Sequence, residues 1–184
     1  RIKQINRALQ FTANTNGDNE EILLLPARDH SMVFRGTIGK DCNMGNTRQL
    51  RQPGAYFYKI IQNSIWKGYI TLIELKNPQG EKALLFDVIN IDTTEKIDWL
   101  GVFNRFTEYL SGLAVNRKWR YILLPAHMFI SNYDYIRIPI GTAMIGKKIL
   151  PKGDFKLRGI ECNDNNIPYF QSIFGDFIVV WERD

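Results

Sequence analysis

Residues 55–126 constrain the fold of this chain more than any other stretch, because their hydrophobic pattern switches from a strand period to a helical one and back. Residues 55–62 carry Tyr56, Phe57 and Tyr58 in a row. Residues 68–76 carry Tyr69, Ile70, Leu72, Ile73 and Leu75. Residues 83–92 are nearly continuous apolar sequence as far as Ile91, broken by Asp87 and Asn90. Asn63-Ser64 can turn the chain, and Asn77-Pro78-Gln79-Gly80 is a strong turn signal. Three strands joined by short turns predict an antiparallel meander. Leu100, Phe103, Phe106, Leu110 and Leu113 then recur at helical spacing, which predicts an amphipathic helix over 98–116. Asp92 or Thr94 can cap its start, and Asn116-Arg117-Lys118 closes it with cations at the negative end of the helix dipole. Residues 119–124, WRYILL before Pro125, read as a buried strand. A strand–helix–strand crossover of this length favours a parallel pair, so the sheet is expected to be mixed.

The flanks read less sharply. Ile2, Ile5 and Leu9 share a face if residues 1–11 form a short helix. Residues 12–20 are polar and loop-like, and 22–25 are an apolar run of strand length ended by Pro26. Residues 36–54 form a long glycine-containing loop, the kind of segment that often carries function. Residues 126–131 can open a short helix. Pro139 and Gly141 argue against one regular element over 135–145. Strands are expected over 155–161 and 174–181.

The 184 residues, 45% of them hydrophobic, suit one globular domain over 1–184 with a sizeable core. The first residues, Arg1-Ile2-Lys3, lack a methionine, so the chain is read as a possible fragment of a longer protein. With no run of about 18 apolar residues, no membrane span and no membrane partner are expected. Cys42 and Cys162 are too few for a disulfide framework, so reduced thiols and a cytoplasmic setting are the default. With His30 and His127 they are too scattered for a zinc site, and no metal is expected. The net charge of +5 is mild for a nucleic-acid binder. It concentrates in two segments. Residues 31–60 set five cations against Asp41, and residues 141–160 set Lys147, Lys148, Lys152, Lys156 and Arg158 against Asp154. Each is read as a solvated face or as a site for an anionic ligand.

In its order of elements (meander, helix, strand, terminal hairpin) the chain resembles the GNAT acetyltransferase superfamily over roughly residues 20–184. KGYITLIEL followed by ALLFDVINI looks like that family's paired central strands, with Gly68 where the family returns to glycine before its strand. The resemblance implies an α+β, GNAT-like fold: a mixed, mostly antiparallel central sheet with flanking helices. It implies an acyl-CoA-dependent N-acyltransferase acting on an amine, with acetyl-CoA or another acyl-CoA as cofactor. In that family the loop after the third strand carries Q/R-x-x-G-x-G/A, whose backbone N–H groups cradle the CoA pyrophosphate at a helix start. The residues that would stand beside the cofactor here are Ile91, Asp92, Thr93, Thr94 and Lys96. This loop has no G-x-G, and Asp92, Glu95 and Asp98 stand where a pyrophosphate would lie. The family pattern also makes Asp87 a base and Tyr133 or Tyr135 an acid. Burial would raise the pKa of Asp87, as suits a base. The plainer reading is that it faces a loop or solvent, or accepts a structural hydrogen bond.

Two further readings stay open beside the acyltransferase. The acidic loop suits a non-catalytic module of the same fold that binds a protein partner. Cys42, next to Lys40 and Asp41, is a candidate thiol nucleophile with His127 as its base. Tyr56, Phe57, Tyr58, Trp66 and Tyr69, with Arg48, Arg51, Lys59 and Lys67 near them, could stack unpaired bases, although a sheet core explains the aromatics at less cost.

Overall fold

The meander forms as predicted and is extended on both sides. The computed structural model describes residues 9–15, 18–27, 54–91, 97–127, 130–131, 133–157 and 175–184. The strands are β1 (Leu9–Thr15), β2 (Asp18–Pro26), β3 (Ala55–Gln62), β4 (Ile65–Lys76), β5 (Lys82–Ile91), β6 (Trp119–Pro125), β7 (Ile149–Leu150), β8 (Lys156–Leu157) and β9 (Phe177–Glu182). Helix α1 (Trp99–Arg117) joins β5 to β6, and α2 (Asp134–Ala143) follows β6. All nine strands lie in one sheet of order β1-β2-β3-β4-β5-β6-β9-β7, with β8 pairing to the end of β4. Among the described residues only β5 and β6 pair in parallel. The α+β class with a mixed, mostly antiparallel sheet is therefore borne out.

The turns explain the meander locally. Asn63 and Ser64 both take positive φ, 48° and 64°, which gives a two-residue hairpin the twist its strands need. In the next turn Asn77 holds both sides: its Oδ1 accepts from the Glu81 N–H at 2.8 Å, and its Nδ2 donates to the Glu81 carboxylate at 2.8 Å.

The flanks depart from their sequence reading. Residues 12–15 and 18–20 are strand, not loop: Thr15 pairs with Asp18 in an antiparallel β1–β2 ladder that runs to Leu9 opposite Leu24. Leu9–Phe11 therefore belong to a strand, not to the expected helix. The usable signal was Asn16-Gly17, the dipeptide that best supports a tight hairpin. Most of residues 135–145 do form a regular element, the helix Asp134–Ala143 capped by Met144. Ile136, Ile140 and Met144, at helical spacing, bury against α1, and that burial outweighs the hydrogen bond Pro139 removes. Residues 126–127 are a turn, not the start of a helix, and of the strand expected over 155–161 only Lys156–Leu157 is described.

Both sheet faces are buried at the centre, which is why β4 and β5 read as almost unbroken apolar runs. One face carries the larger core. There α1 lays Val102, Phe103, Phe106, Leu110 and Leu113 against Tyr58, Ile70, Leu72 and Phe86. Phe106 meets Tyr58 and Phe86 edge-on, at 4.9 and 5.9 Å. Burial pushes the Tyr58 hydroxyl well above its usual range, helped by Tyr109 and Tyr56. The second core, on the other face, gathers Phe57, Tyr69, Ile73, Leu85, Leu123 and Phe177.

Candidate functional site

The parallel pair β5–β6 does not run to the end of its strands. Lys82 faces Trp119, Ala83 faces Tyr121, Leu84 faces Ile122 and Leu85 faces Leu123, and there the ladder stops. β5 continues to Ile91, while Leu124 and Pro125 of β6 pair only with β9 on their other side. The two strands thus part beyond Leu85. A parting of parallel strands leaves one row of backbone groups without ladder partners, and open α/β sheets tend to bind ligands at such points.

A bulge on β5 coincides with the parting. Leu72 faces Phe86 and Thr71 faces Val88, so Asp87 is an extra residue with no counterpart on β4. Phe86 and Ile89 pack in the helix-side core and Val88 packs on the other face. Asp87 is 2% exposed, which rules out the solvent-facing reading. Beside it the ladder puts Tyr69 opposite Asn90, whose Nδ2 donates to the Tyr69 hydroxyl at 3.4 Å. Tyr69, Thr71, Asp87 and Asn90 are all buried. Four buried polar side chains on two neighbouring strands are costly unless they bond to one another or to a ligand. The sequence singled out Asp87 alone; the strand alternation that puts Tyr69 and Thr71 on one face, read with Asn90, would have found the rest.

The helix side of the parting is filled. The Ile89 N–H donates to the Ile130 carbonyl at 2.6 Å, so the chain after β6 bonds back onto β5 where β6 left it. Between the sheet and the helices lies a cavity of about 10 Å³, lined by Ile70, Phe86, Ile89, Trp99, Val102, Phe103, Phe106 and Ile140. It is too small for an acyl chain. The Trp99 indole supplies the one polar side-chain atom in that lining, and its Nε1 has no hydrogen-bond partner among the described residues. A water needs two or more, so the cavity is not a water site either.

The start of α1 is occupied by its own cap. Asp98, not Asp92 or Thr94, is the N-cap, and its carboxylate accepts the Gly101 N–H at 2.8 Å. A Cβ on Gly101 would fall 2.3 Å from that carboxylate, so the acid lies directly over the first turn. The bare positive helix end that a CoA pyrophosphate needs is thus filled by a carboxylate, and the described residues do not fit that group at α1.

The other predicted residues are spread around this region. Ile91 is buried at the end of β5 in the helix-side core. Asp92, Thr93, Thr94 and Lys96 lie outside the described residues, as do Cys42, Cys162 and His30. His127 is exposed on the turn after β6, and its ring packs against Gly175, where a Cβ would come within 2.9 Å. Tyr133 and Tyr135 stack on each other at 5.3 Å at the start of α2, with Tyr133 packed on the helix-side core. Among the described residues no group of three or more His, Cys, Asp or Glu could hold a metal. The sequence reading also passed over Glu74. This carboxylate, 2% exposed, accepts from the Trp119 indole at 2.9 Å and the Tyr56 hydroxyl at 3.4 Å, with Lys82 Nζ 3.4 Å away. It stitches β4 to β3, β5 and β6 where the parallel ladder begins, at the other end from the parting.

No protein-family model and no curated protein matches the chain. Among solved structures it is similar to FeeM, an N-acyl amino acid synthase from uncultured soil microbes. The likeness has 16% identity and a TM-score of 0.38, and covers 58% of this chain and 70% of that one.

Proposed function

We propose that the chain is a GNAT-like acyl-transfer domain that acylates an amine, with its chemistry at the parting of β5 and β6. The observation that carries this reading is the buried Asp87 in a bulge where the two parallel strands separate. In this scheme the amine nitrogen attacks the carbonyl carbon of an acyl thioester. The N–C bond forms, the C–S bond breaks, and Asp87 takes the amine proton, which ends on the departing thiolate. Because the Asp98 carboxylate covers the start of α1, the thioester's carrier is not held there by a pyrophosphate. Acyl-CoA would then serve as donor without a nucleotide cradle at α1.

The test is release of free thiol from a series of acyl-CoA thioesters offered with amino acids and simple amines. Asp87→Asn keeps the side chain's shape and removes its basicity. It is expected to lower the rate by about 10²–10⁴ at neutral pH, the usual worth of a general base, while leaving the thermal midpoint within a few degrees. Full activity in Asp87→Asn would overturn the assignment.

A second reading is favoured by a different observation. The Ile89–Ile130 hydrogen bond and the Asp98 cap satisfy, within the chain, groups that an active site would leave for its ligand. They suit a non-catalytic module of the same fold that binds a partner. That reading gains if no thiol is released from any thioester in the series.

A further inference from the structure

Trp66 and Trp119 anchor their indoles by hydrogen bonds, and Trp99 does not. Trp66 Nε1 donates to the Gly68 carbonyl at 2.7 Å, and Trp119 Nε1 donates to the Glu74 carboxylate at 2.9 Å. Trp99, in the first turn of α1, is 3% exposed, and its Nε1 has no partner among the described residues. The main chain around it is satisfied. The Trp99 N–H donates to the Ile97 carbonyl at 2.9 Å, and the Gly101 and Val102 N–H groups both donate to Asp98. A buried indole N–H usually finds an acceptor, and a buried donor left unbonded is costly. Phenylalanine would fill this corner of the core without that cost.

The surroundings of the indole limit what its acceptor can be. Trp99 lines the cavity between the sheet and the helices, and so do Phe86 and Ile89. Phe86 directly precedes Asp87 in the bulge, and Ile89 follows two residues after it. The cavity therefore adjoins the bulge on its helix side. The other side chains around it, Phe103 and Ile140 among them, are apolar. Its volume of about 10 Å³ is on the order of the room one small group needs. An acceptor with no more than a methyl behind it fits, and a chain does not. The carbonyl of a short acyl group has that shape.

We infer that the Trp99 indole N–H holds the carbonyl oxygen of the acyl donor during transfer. This rests on the acyl-transfer reading given above and adds a residue to it. When the amine nitrogen bonds to the carbonyl carbon, the C=O electron pair moves onto oxygen, and the Trp99 N–H bonds to the oxyanion. When that pair returns, the C–S bond breaks and the thiolate departs, taking the amine proton by way of Asp87. The indole keeps its own proton throughout. The size of the cavity restricts the transferred group to about two carbons.

The experiment measures thiol release from acetyl-, propionyl- and octanoyl-CoA, each with the amine that the parent chain uses best. The parent rate is expected to fall from acetyl to octanoyl. Trp99→Phe keeps an apolar ring and removes the donor. It is expected to lower kcat about 10²–10³-fold, the usual worth of one oxyanion donor, with KM little changed. Ile140→Val removes one methylene from the cavity wall and is expected to raise the propionyl rate relative to the acetyl rate. Circular dichroism checks that both variants fold; should Trp99→Phe not fold, the parent profile and Ile140→Val decide. An unchanged kcat in Trp99→Phe overturns the inference, and so does a loss confined to KM, as a purely structural role would give. A parent chain that prefers octanoyl-CoA, or an acyl profile that Ile140→Val leaves unchanged, also overturns it. In each of these cases thiol is still released and the acyl-transfer reading stands. If no thioester releases thiol, that reading fails and takes the inference with it.

Discussion

A methyl group on Gly68 has nowhere to go. A Cβ there would fall 2.1 Å from the Asn90 carbonyl oxygen and 2.5 Å from the Ile91 Cα, so β4 and β5 approach backbone to backbone at this point. Neither atom is the end of a flexible side chain, and relief requires the two central strands to separate. Gly68→Ala is expected to destabilise the fold by about 2 kcal/mol or more, within the usual range for overpacking, read as a lowered urea midpoint. The closeness also bears on the candidate site, because Asn90 is held against Tyr69 by the same stretch of ladder. In the sequence Gly68 reads as the start of a strand, whereas β4 begins at Ile65, and nothing in the sequence says which backbone Gly68 meets. Asp87 is similar. Its place in an apolar run is plain to read, whereas the bulge depends on how β5 counts against β4, a relation between two strands that neither one contains.

At the scale of elements, α1 was the most legible. Its apolar stripe predicts the buried face, and the expected span of 98–116 differs by one residue at each end from Trp99–Arg117. The cap was less so, since Asp92, Thr94 and Asp98 are all good N-cap residues and only the path of the chain chooses between them. Replacing the chosen cap tests it. Asp98→Ala is expected to cost about 1 kcal/mol, and Asp98→Asn only a few tenths, because asparagine caps about as well as aspartate; chemical unfolding of the two variants checks this. A cost for both as large as for alanine would mean that the charge, not the cap, matters. Helix α2 shows the opposite balance. Pro139 and Gly141 speak against a helix locally, and the decisive term, burial of Ile136, Ile140 and Met144, comes from α1 and the sheet. Propensity is local and packing is not, which is why the reading failed there.

Across the whole molecule, the mixed sheet and its parallel crossover follow from the order of periods along residues 55–126. The strand order beyond β6 does not, because short strands such as β7 and β8 carry too few residues to show a pattern. β9 lies between β6 and β7, although the chain makes it after both. A chain ending before Phe177 is therefore expected to leave the outer edge of β6 unpaired and β7 without its ladder partner. Exposed edges of this kind template association between chains, so such a truncation should sediment as oligomers or precipitate, whereas a well-behaved truncated monomer would refute the expectation.

That arrangement sets an order of events in the cell. While the chain is being synthesised, the half of the sheet from β1 to β5 can close on itself as soon as its strands emerge, since each pairs with a neighbour in sequence. The other half must wait. β6 can lie down beside β5 once α1 has crossed over, but its far side stays open until Phe177–Glu182 is made. Folding is thus divided into an early, local stage and a late one, and the late stage is the interval in which the nascent chain is most exposed to misassociation and to chaperone capture.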